Sequence, residues 1–109
     1  TLDGQKSTTC IYGRNPEING NPVKMCELLS TLTGPAYIAR QSLCDVKHIV
    51  QAKKAIKKAF EHQINGDGFT MVELLSSCPT NWHMTPEQAL QYVAGDMENL
   101  YPLGVFKEV

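Results

Sequence analysis

Phe69-Thr70-Met71-Val72-Glu73-Leu74-Leu75 decides the fold. This run is apolar on both alternating faces apart from Glu73, and it is bounded by Gly66-Asp67-Gly68 before it and Ser76-Ser77-Cys78-Pro79 after it. Its shortness and its two apolar faces match a strand covered on both sides, which is the signature of a parallel sheet in an α/β protein. It is predicted as a central, parallel strand. Upstream, Ile49, Ala52, Ile56, Ala59, Phe60 and Gln63 line one side of an amphipathic helix, and Lys53, Lys54, Lys57 and Lys58 project away from it. Asp45 is placed to cap that helix and Gly66-Asp67-Gly68 to end it. Ala36-Tyr37-Ile38-Ala39-Arg40 is too short for a helix and carries β-formers, so it reads as a second strand.

Further out, Asn21-Pro22 is read as the opening of a helix on which Met25, Leu28, Leu29 and Leu32 recur, stopped by Gly34-Pro35. After a loop from Ser76 to Met84, Thr85-Pro86-Glu87-Gln88 combines an N-cap, a first-turn proline and a capping-box Gln, opening a helix through Ala89, Tyr92, Val93 and Met97. Residues 1–22, dense in Thr, Ser, Gly, Asn and Pro, have no period and read as a long loop; residues 23–109 carry the α/β units and an apolar tail from Tyr101 to Val109. The order resembles consecutive βα units of a doubly wound sheet. Only two strands are read in it, and a strand buried on both faces needs neighbours on both edges. Together with an opening at Thr1-Leu2-Asp3-Gly4 that lacks Met, this leads us to expect the back part of a larger subunit, with exposed edges that favour self-association.

The 109 residues leave room for one domain, and 42% apolar with 19% charged residues is an ordinary globular composition. A net charge of -1 speaks against a nucleic-acid partner. No apolar run is long enough for a membrane span and no signal-peptide order is present, so the expected compartment is the cytoplasm. Cys10, Cys26, Cys44 and Cys78 form no Cys-x-x-Cys pair, and no self-contained zinc site is expected from their spacing.

Ligands of open α/β sheets sit outside the carboxyl ends of the strands, which directs attention to Ser76-Ser77-Cys78-Pro79-Thr80-Asn81-Trp82. Pro79 biases Cys78 toward an extended backbone that suits metal ligation or redox work, while the simpler local reading of the same cysteine is a small buried residue at a turn. His83 is the histidine nearest this loop and a candidate for proton handling, though no partner carboxylate is identifiable. His48 and His62 read as surface or boundary residues. Arg40 and Glu73, the charges within the two predicted strands, form a buried pair if the strands are neighbours, or face water at a strand end.

The run Gly68 to Trp82, with Thr8-Thr9 to Gly13-Arg14, Lys53 to Phe60 and Tyr101-Pro102-Leu103-Gly104-Val105-Phe106-Lys107, resembles the C-terminal part of the thiamine-diphosphate-binding β subunit of 2-oxoacid:ferredoxin oxidoreductases. The most specific segment is Cys78-Pro79-Thr80-Asn81-Trp82, and the opening Thr1-Leu2-Asp3-Gly4-Gln5 resembles the segment just downstream of the family's cofactor loop. The resemblance implies a doubly wound, three-layer thiamine-diphosphate-binding type fold, of which this chain is the C-terminal portion. It also implies a complete enzyme with thiamine diphosphate, magnesium and a 4Fe-4S cluster, which decarboxylates a 2-oxoacid, passes the acyl group to coenzyme A and reduces ferredoxin. Its partners would be α and further (γ, δ) subunits. Of the candidate substrates, 2-oxoglutarate ranks first and 2-oxoisovalerate second.

Carried over residue by residue, the resemblance makes Cys78 the last cluster ligand, leaves Cys10, Cys26 and Cys44 outside the cluster, and suggests Ser76, Ser77 and Thr80 as hydrogen-bond donors to its sulfurs. Gly66-Asp67-Gly68 looks like the start of the thiamine-diphosphate and magnesium motif. It stands between a helix and a strand, however, and Val93 to Asp96, where the partner Asn should fall, contains none. No cofactor-binding or catalytic residue is therefore expected in this chain, and it is expected to be inactive alone. The lysine face is read as a solvated surface, with steering of an acidic ferredoxin as the other possibility. The rival reading of the whole is a non-catalytic interaction module that binds a partner through the tail Tyr101 to Phe106.

Overall fold

The computed structural model, which describes residues 1–109, runs α1 (Pro16–Asn19), α2 (Met25–Ser30), β1 (Pro35–Ser42), α3 (Val46–Ile64), β2 (Phe69–Leu75), α4 (Pro79–Trp82) and α5 (Pro86–Tyr92). A π-helical turn (Val93–Met97), α6 (Glu98–Leu100) and β3 (Gly104–Glu108) follow. The sheet has three strands in the order β2-β1-β3, with β1 parallel to β2 and antiparallel to β3. It is an α/β fold with a mixed sheet. Helix α3 makes the crossover between the parallel strands, as parallel pairing requires.

Successive residues of a strand point to opposite faces, so β1 fixes the layers. Tyr37 stacks on His62 of α3 with ring centroids 5.5 Å apart, while Arg40, of opposite parity, reaches Glu27 of α2 on the other face. Helices α3 and α2 therefore cover opposite faces, giving three layers. Asp45 caps α3 by accepting from the His48 backbone N–H, and Thr85 and Gln88 close a reciprocal capping box on α5. Gly68 is required where β2 begins: at φ 136° a Cβ there would lie 2.7 Å from the Gly34 carbonyl oxygen.

Three expectations are corrected. The central strand is β1, fully buried over its first six residues, whereas β2 is an edge strand with partly open side chains. The reason is that the tail, read as aperiodic, forms β3 and pairs with the other edge of β1. Tyr101 to Phe106 are thus built into the fold and do not form a free binding arm. Helix α2 starts at Met25 without a side-chain cap, and it buries Cys26 and turns Glu27 inward while Met25, Leu28 and Leu32 stay exposed. On α3 the buried residues are Ala52 and Ala55, and Phe60 is 65% exposed. The loop 1–22 is ordered: Gly4 N–H donates to the Arg14 carbonyl, Arg14 N–H to the Gln5 carbonyl, and the Arg14 guanidinium to the carbonyls of Thr1 and Gly20.

The inward turn of Glu27 follows from Arg40. This guanidinium has no solvent exposure; it donates to both Glu27 oxygens at 2.8 and 2.7 Å, to Glu73 Oε2 at 2.9 Å and to the Pro102 carbonyl at 3.2 Å. The rings of Tyr101 and Phe106 lie 5.1 and 5.0 Å from it. Burial opposes its charge, but the hydrogen bonds to Glu27 and Glu73 outweigh that and hold its pKa above the ordinary arginine value. Arg40 and Glu73 are register partners, so of the two readings left open by the sequence the pair is the one formed, with Glu27 as a third member.

The molecule is a slab of 46 × 33 × 19 Å with a radius of gyration of 15.5 Å, against about 13 Å for a compact chain of this length. Only 16 of 109 residues are buried, and Tyr12, Ile18, Phe60 and Phe69 are each more than half exposed. The slab has a small interior, and much of its apolar surface lies outside it.

Two predictions follow from these ties. Glu27→Ala leaves a buried guanidinium under-compensated and should cost about 3 kcal/mol in urea unfolding, the lower end of the range for a broken buried pair because the carboxylates keep some solvent contact. Leu28→Ala, on the exposed side of the same helix, should cost far less. At the other end of the sheet, His62 sits between Asp67 at 2.8 Å and Glu108 at 3.3 Å, and these hydrogen bonds raise its pKa above 6.5. A raised histidine pKa contributes stability that is complete below 6.5 and is lost as pH rises through the folded-state value. Thermal unfolding across the neutral range should therefore show falling stability with pH, and His62→Gln should flatten that slope.

Candidate functional site

Chain direction alone places the candidate site at the carboxyl ends of the parallel strands. From Leu75 the chain leaves the sheet through Ser76 and Ser77, and Cys78 takes up the N-cap position of α4 with φ -137° and ψ 74°. The pre-proline bias excludes the helical region there, so helix formation begins only at Pro79. The turn is closed by Trp82 N–H donating to the Cys78 carbonyl at 3.0 Å and Met84 N–H donating to the Pro79 carbonyl at 3.0 Å. His83 ends it in the left-handed region at φ 57°. The Thr8 N–H donates to the Asn81 carbonyl at 3.0 Å, which ties the N-terminal loop to this turn, and Trp82 packs edge-on against Tyr92 at 5.4 Å. The backbone around Cys78 is thus fixed from both sides.

The thiol itself is exposed. A buried turn cysteine, the simplest reading of the local sequence, is overturned: Pro79 carries the chain into α4, and the side chain of the preceding residue is left outside the packing. Cys26 and Cys44 are buried and Cys10 is partly so. Cys78 belongs to no group of three or more thiol, imidazole or carboxylate side chains. Ser76 and Thr80 are exposed and Ser77 is half-buried; His83 is exposed as well.

Beside the turn lies a cleft of about 260 Å³ lined by Gln5, Glu73, Leu75, Ser76, Trp82 and Tyr101 among others. Gln5 contributes Nε2, a buried donor without a hydrogen-bond partner, while its Oε1 accepts from the Leu2 N–H at 2.8 Å. Glu73 connects the cleft to the buried guanidinium and accepts from the Cys26 thiol at 3.0 Å. Burial foremost, then that hydrogen bond and the carboxylate charge, push the Cys26 pKa up to about 12. Cys26 is therefore an inert, protonated packing residue.

Gly66-Asp67-Gly68 lies at the amino end of β2, where Asp67 accepts from His62 Nδ1 at 2.8 Å and its backbone N–H donates to the His62 carbonyl at 3.0 Å. The motif is committed to a helix-to-strand turn at the opposite end of the sheet from a strand-terminal cofactor site, and Val93 to Asp96 form the π-helical turn. These residues do not fit a magnesium diphosphate site. An iron–sulfur cluster fits differently: this chain offers one exposed thiol on a fixed turn, the right chemistry for a single cluster ligand. The lysines of α3 are exposed; Lys58 is bound to Glu108 of β3 at 2.6 Å, and Lys57 lies 3.9 Å from Glu61.

The fold and the turn together define a three-layer α/β unit that presents one exposed thiol at the carboxyl end of its parallel strands. Over 108 residues the chain is 44% identical to the ketoisovalerate oxidoreductase subunit VorA of Methanothermobacter thermautotrophicus, covering 99% of this chain and 23% of that protein. The same figures hold for VorA of Methanothermobacter marburgensis. The chain thus spans under a quarter of the length of the curated relatives it matches. No family model and no solved structure matches it. None of its helices is long and apolar enough to cross a membrane.

Exposure makes the cysteines distinguishable in solution. Brief iodoacetamide treatment of the folded chain followed by peptide mass analysis should label Cys78 first and leave Cys26 and Cys44 unmodified until urea is added.

Proposed function

We propose that this chain is part of the thiamine-diphosphate-binding β subunit of a cytoplasmic 2-oxoacid:ferredoxin oxidoreductase, and that Cys78 holds one corner of its 4Fe-4S cluster. The observation that carries this reading is the 44% identity sustained over 108 residues with subunits named for ketoisovalerate oxidation. The exposed thiol at the end of β2 supports the ligand assignment. The names of the relatives favour a branched-chain 2-oxoacid as substrate and reverse the order in which 2-oxoglutarate stood first.

When bound, the cluster supplies one-electron transfer. The part played by the chain is positional: Pro79 and the α4 turn hold Cys78 outward, Trp82 on Tyr92 fixes the turn, and Thr8 ties the N-terminal loop against it. Ser77, half-buried beside the thiol, is the hydroxyl best placed to donate to a cluster sulfur. Thiamine diphosphate and magnesium belong to other residues of the complete subunit, because Asp67 is consumed by the turn at the amino end of β2. Coenzyme A, ferredoxin and the α subunit complete the assembly, and the exposed apolar surface of the slab is a place for neighbouring structure. The interaction-module reading loses its binding arm, since Tyr101 and Phe106 enclose Arg40.

The native protein carrying this chain, isolated anaerobically, should contain iron and reduce ferredoxin in the presence of a branched-chain 2-oxoacid and coenzyme A. Cys78→Ser should lower both iron content and ferredoxin reduction by about tenfold or more while the fold persists. Unchanged iron in that variant would remove Cys78 from the cluster. A native protein without iron would remove the oxidoreductase reading itself.

A further inference from the structure

One group of side chains outside the Cys78 turn has the composition of a metal site. Cys44 follows β1 and directly precedes the Asp45 cap of α3; His48 stands in the first turn of α3; Glu98 opens α6, more than fifty residues along the chain. Their ligand atoms all lie within 4.8 Å of one another. Cys44 Sγ is 3.4 Å from His48 Nδ1 and 3.7 Å from Glu98 Oε1. A tetrahedral zinc ion, with bonds of about 2.3 Å to sulfur and 2.0–2.1 Å to nitrogen or oxygen, spaces its ligands about 3.5 Å apart. The two measured edges bracket that value before any ion is added. Asp45 Oδ1, 2.7 Å from His48 Nδ1, stands outside this group and pairs with the ring nitrogen that an ion would take over.

The backbone supplies a second, independent reason to attend to this group. Val93 is fully buried in one cluster with Cys44 and Leu75, and the π-helical turn begins at Val93. In α-helical geometry five residues advance well past one turn, which would carry Glu98 off the face that Val93 presents. The i→i+5 bonding of a π turn brings position 98 back toward that face, and with it the carboxylate toward Cys44. A helix carrying this irregularity delivers an acidic side chain to a buried thiol and an imidazole, and packing alone does not call for that.

We propose that Cys44, His48 and Glu98 form a divalent-cation site of zinc-like preference, with water in the fourth position. A mixed sulfur, nitrogen and oxygen donor set of this kind suits zinc in preference to calcium or magnesium. Binding transfers the Cys44 thiol proton to solvent and leaves His48 neutral, with Nδ1 on the metal and its proton on Nε2. The ion would join the loop after β1, the start of α3 and the helix leading to β3, and so brace the same end of the sheet that carries Cys78. The site uses none of the residues assigned to the cluster and stands whether or not that assignment does. It also revises the expectation of no zinc site: Cys44 and His48 are four apart across a helix start, and their third partner is visible only in three dimensions.

The test uses the native protein carrying this chain, freed of divalent ions, incubated with zinc and desalted. We expect about one retained zinc per chain and a zinc-edge X-ray absorption spectrum with one sulfur near 2.3 Å and nitrogen or oxygen at about 2.0–2.1 Å, a readout blind to iron. Cys44→Ser and His48→Gln should each reduce retained zinc about tenfold or more, and Cys78→Ser should leave it unchanged. If circular dichroism shows that Cys44→Ser fails to fold, His48→Gln, at a half-buried position, decides alone. No retained zinc in the unaltered protein, a zinc shell without sulfur, or equal retention in the folded variants would overturn the site.

Discussion

A charged group without solvent contact has to be answered by its surroundings, and in this chain Arg40 organises almost everything around it. An unpaired guanidinium in an apolar interior is among the least tolerable arrangements a protein can contain. The middle strand carries one, and four separate segments converge on it: Glu27 from α2, Glu73 from β2, the Pro102 carbonyl and the Tyr101 ring from the connection, and Phe106 from β3. Each segment is held where Arg40 requires it. The face of α2 that meets the sheet is chosen by Glu27 at the expense of three apolar side chains, which are left in solvent. This inverts the usual order of importance, in which an amphipathic stripe decides how a helix docks.

The same constraint explains which parts of the structure were legible in the sequence. Strand β2, helix α3 and the capping box of α5 rest on local rules of alternation, amphipathic period and side-chain caps, and all three are found where those rules place them. The face of α2 could not be read that way, because the contact that sets it is an ion pair across thirteen residues of chain. Strand β3 was missed for a related reason. Its residues alternate poorly since it lies on an edge, and Tyr101 and Phe106 serve as walls for a guanidinium more than as a conventional apolar face. Without β3, β2 was taken for the centre of the sheet, and the correction moves that role to β1.

The site divides along the same line. The turn at Cys78 is legible because Pro79 leaves a local mark, but the exposure of the thiol is not, since the same local sequence suits a buried cysteine. The grouping of Cys44, His48 and Glu98 leaves no such mark. Two members lie close in sequence, but the third arrives through a change of helical phase within five residues, a feature that no periodicity of apolar residues announces.

Placing these features on one frame shows a division of labour between the two ends of the sheet. At the amino end of β2 the chain spends its polar residues on fastening: Asp67, His62, Glu108 and Lys58 bind one another and hold β3 to α3. At the carboxyl end of β1 and β2 lie an open thiol at Cys78, a partnerless amide donor at Gln5, and the thiol, imidazole and carboxylate of Cys44, His48 and Glu98. Arg40 stands between the two ends, facing away from the fastening layer and toward the cleft beside Cys78 through Glu73. Ion pairs thus gather at one end of the sheet, and the exposed thiol and the thiol, imidazole and carboxylate group at the carboxyl ends of its parallel strands. Open α/β sheets carry their ligands at that same end.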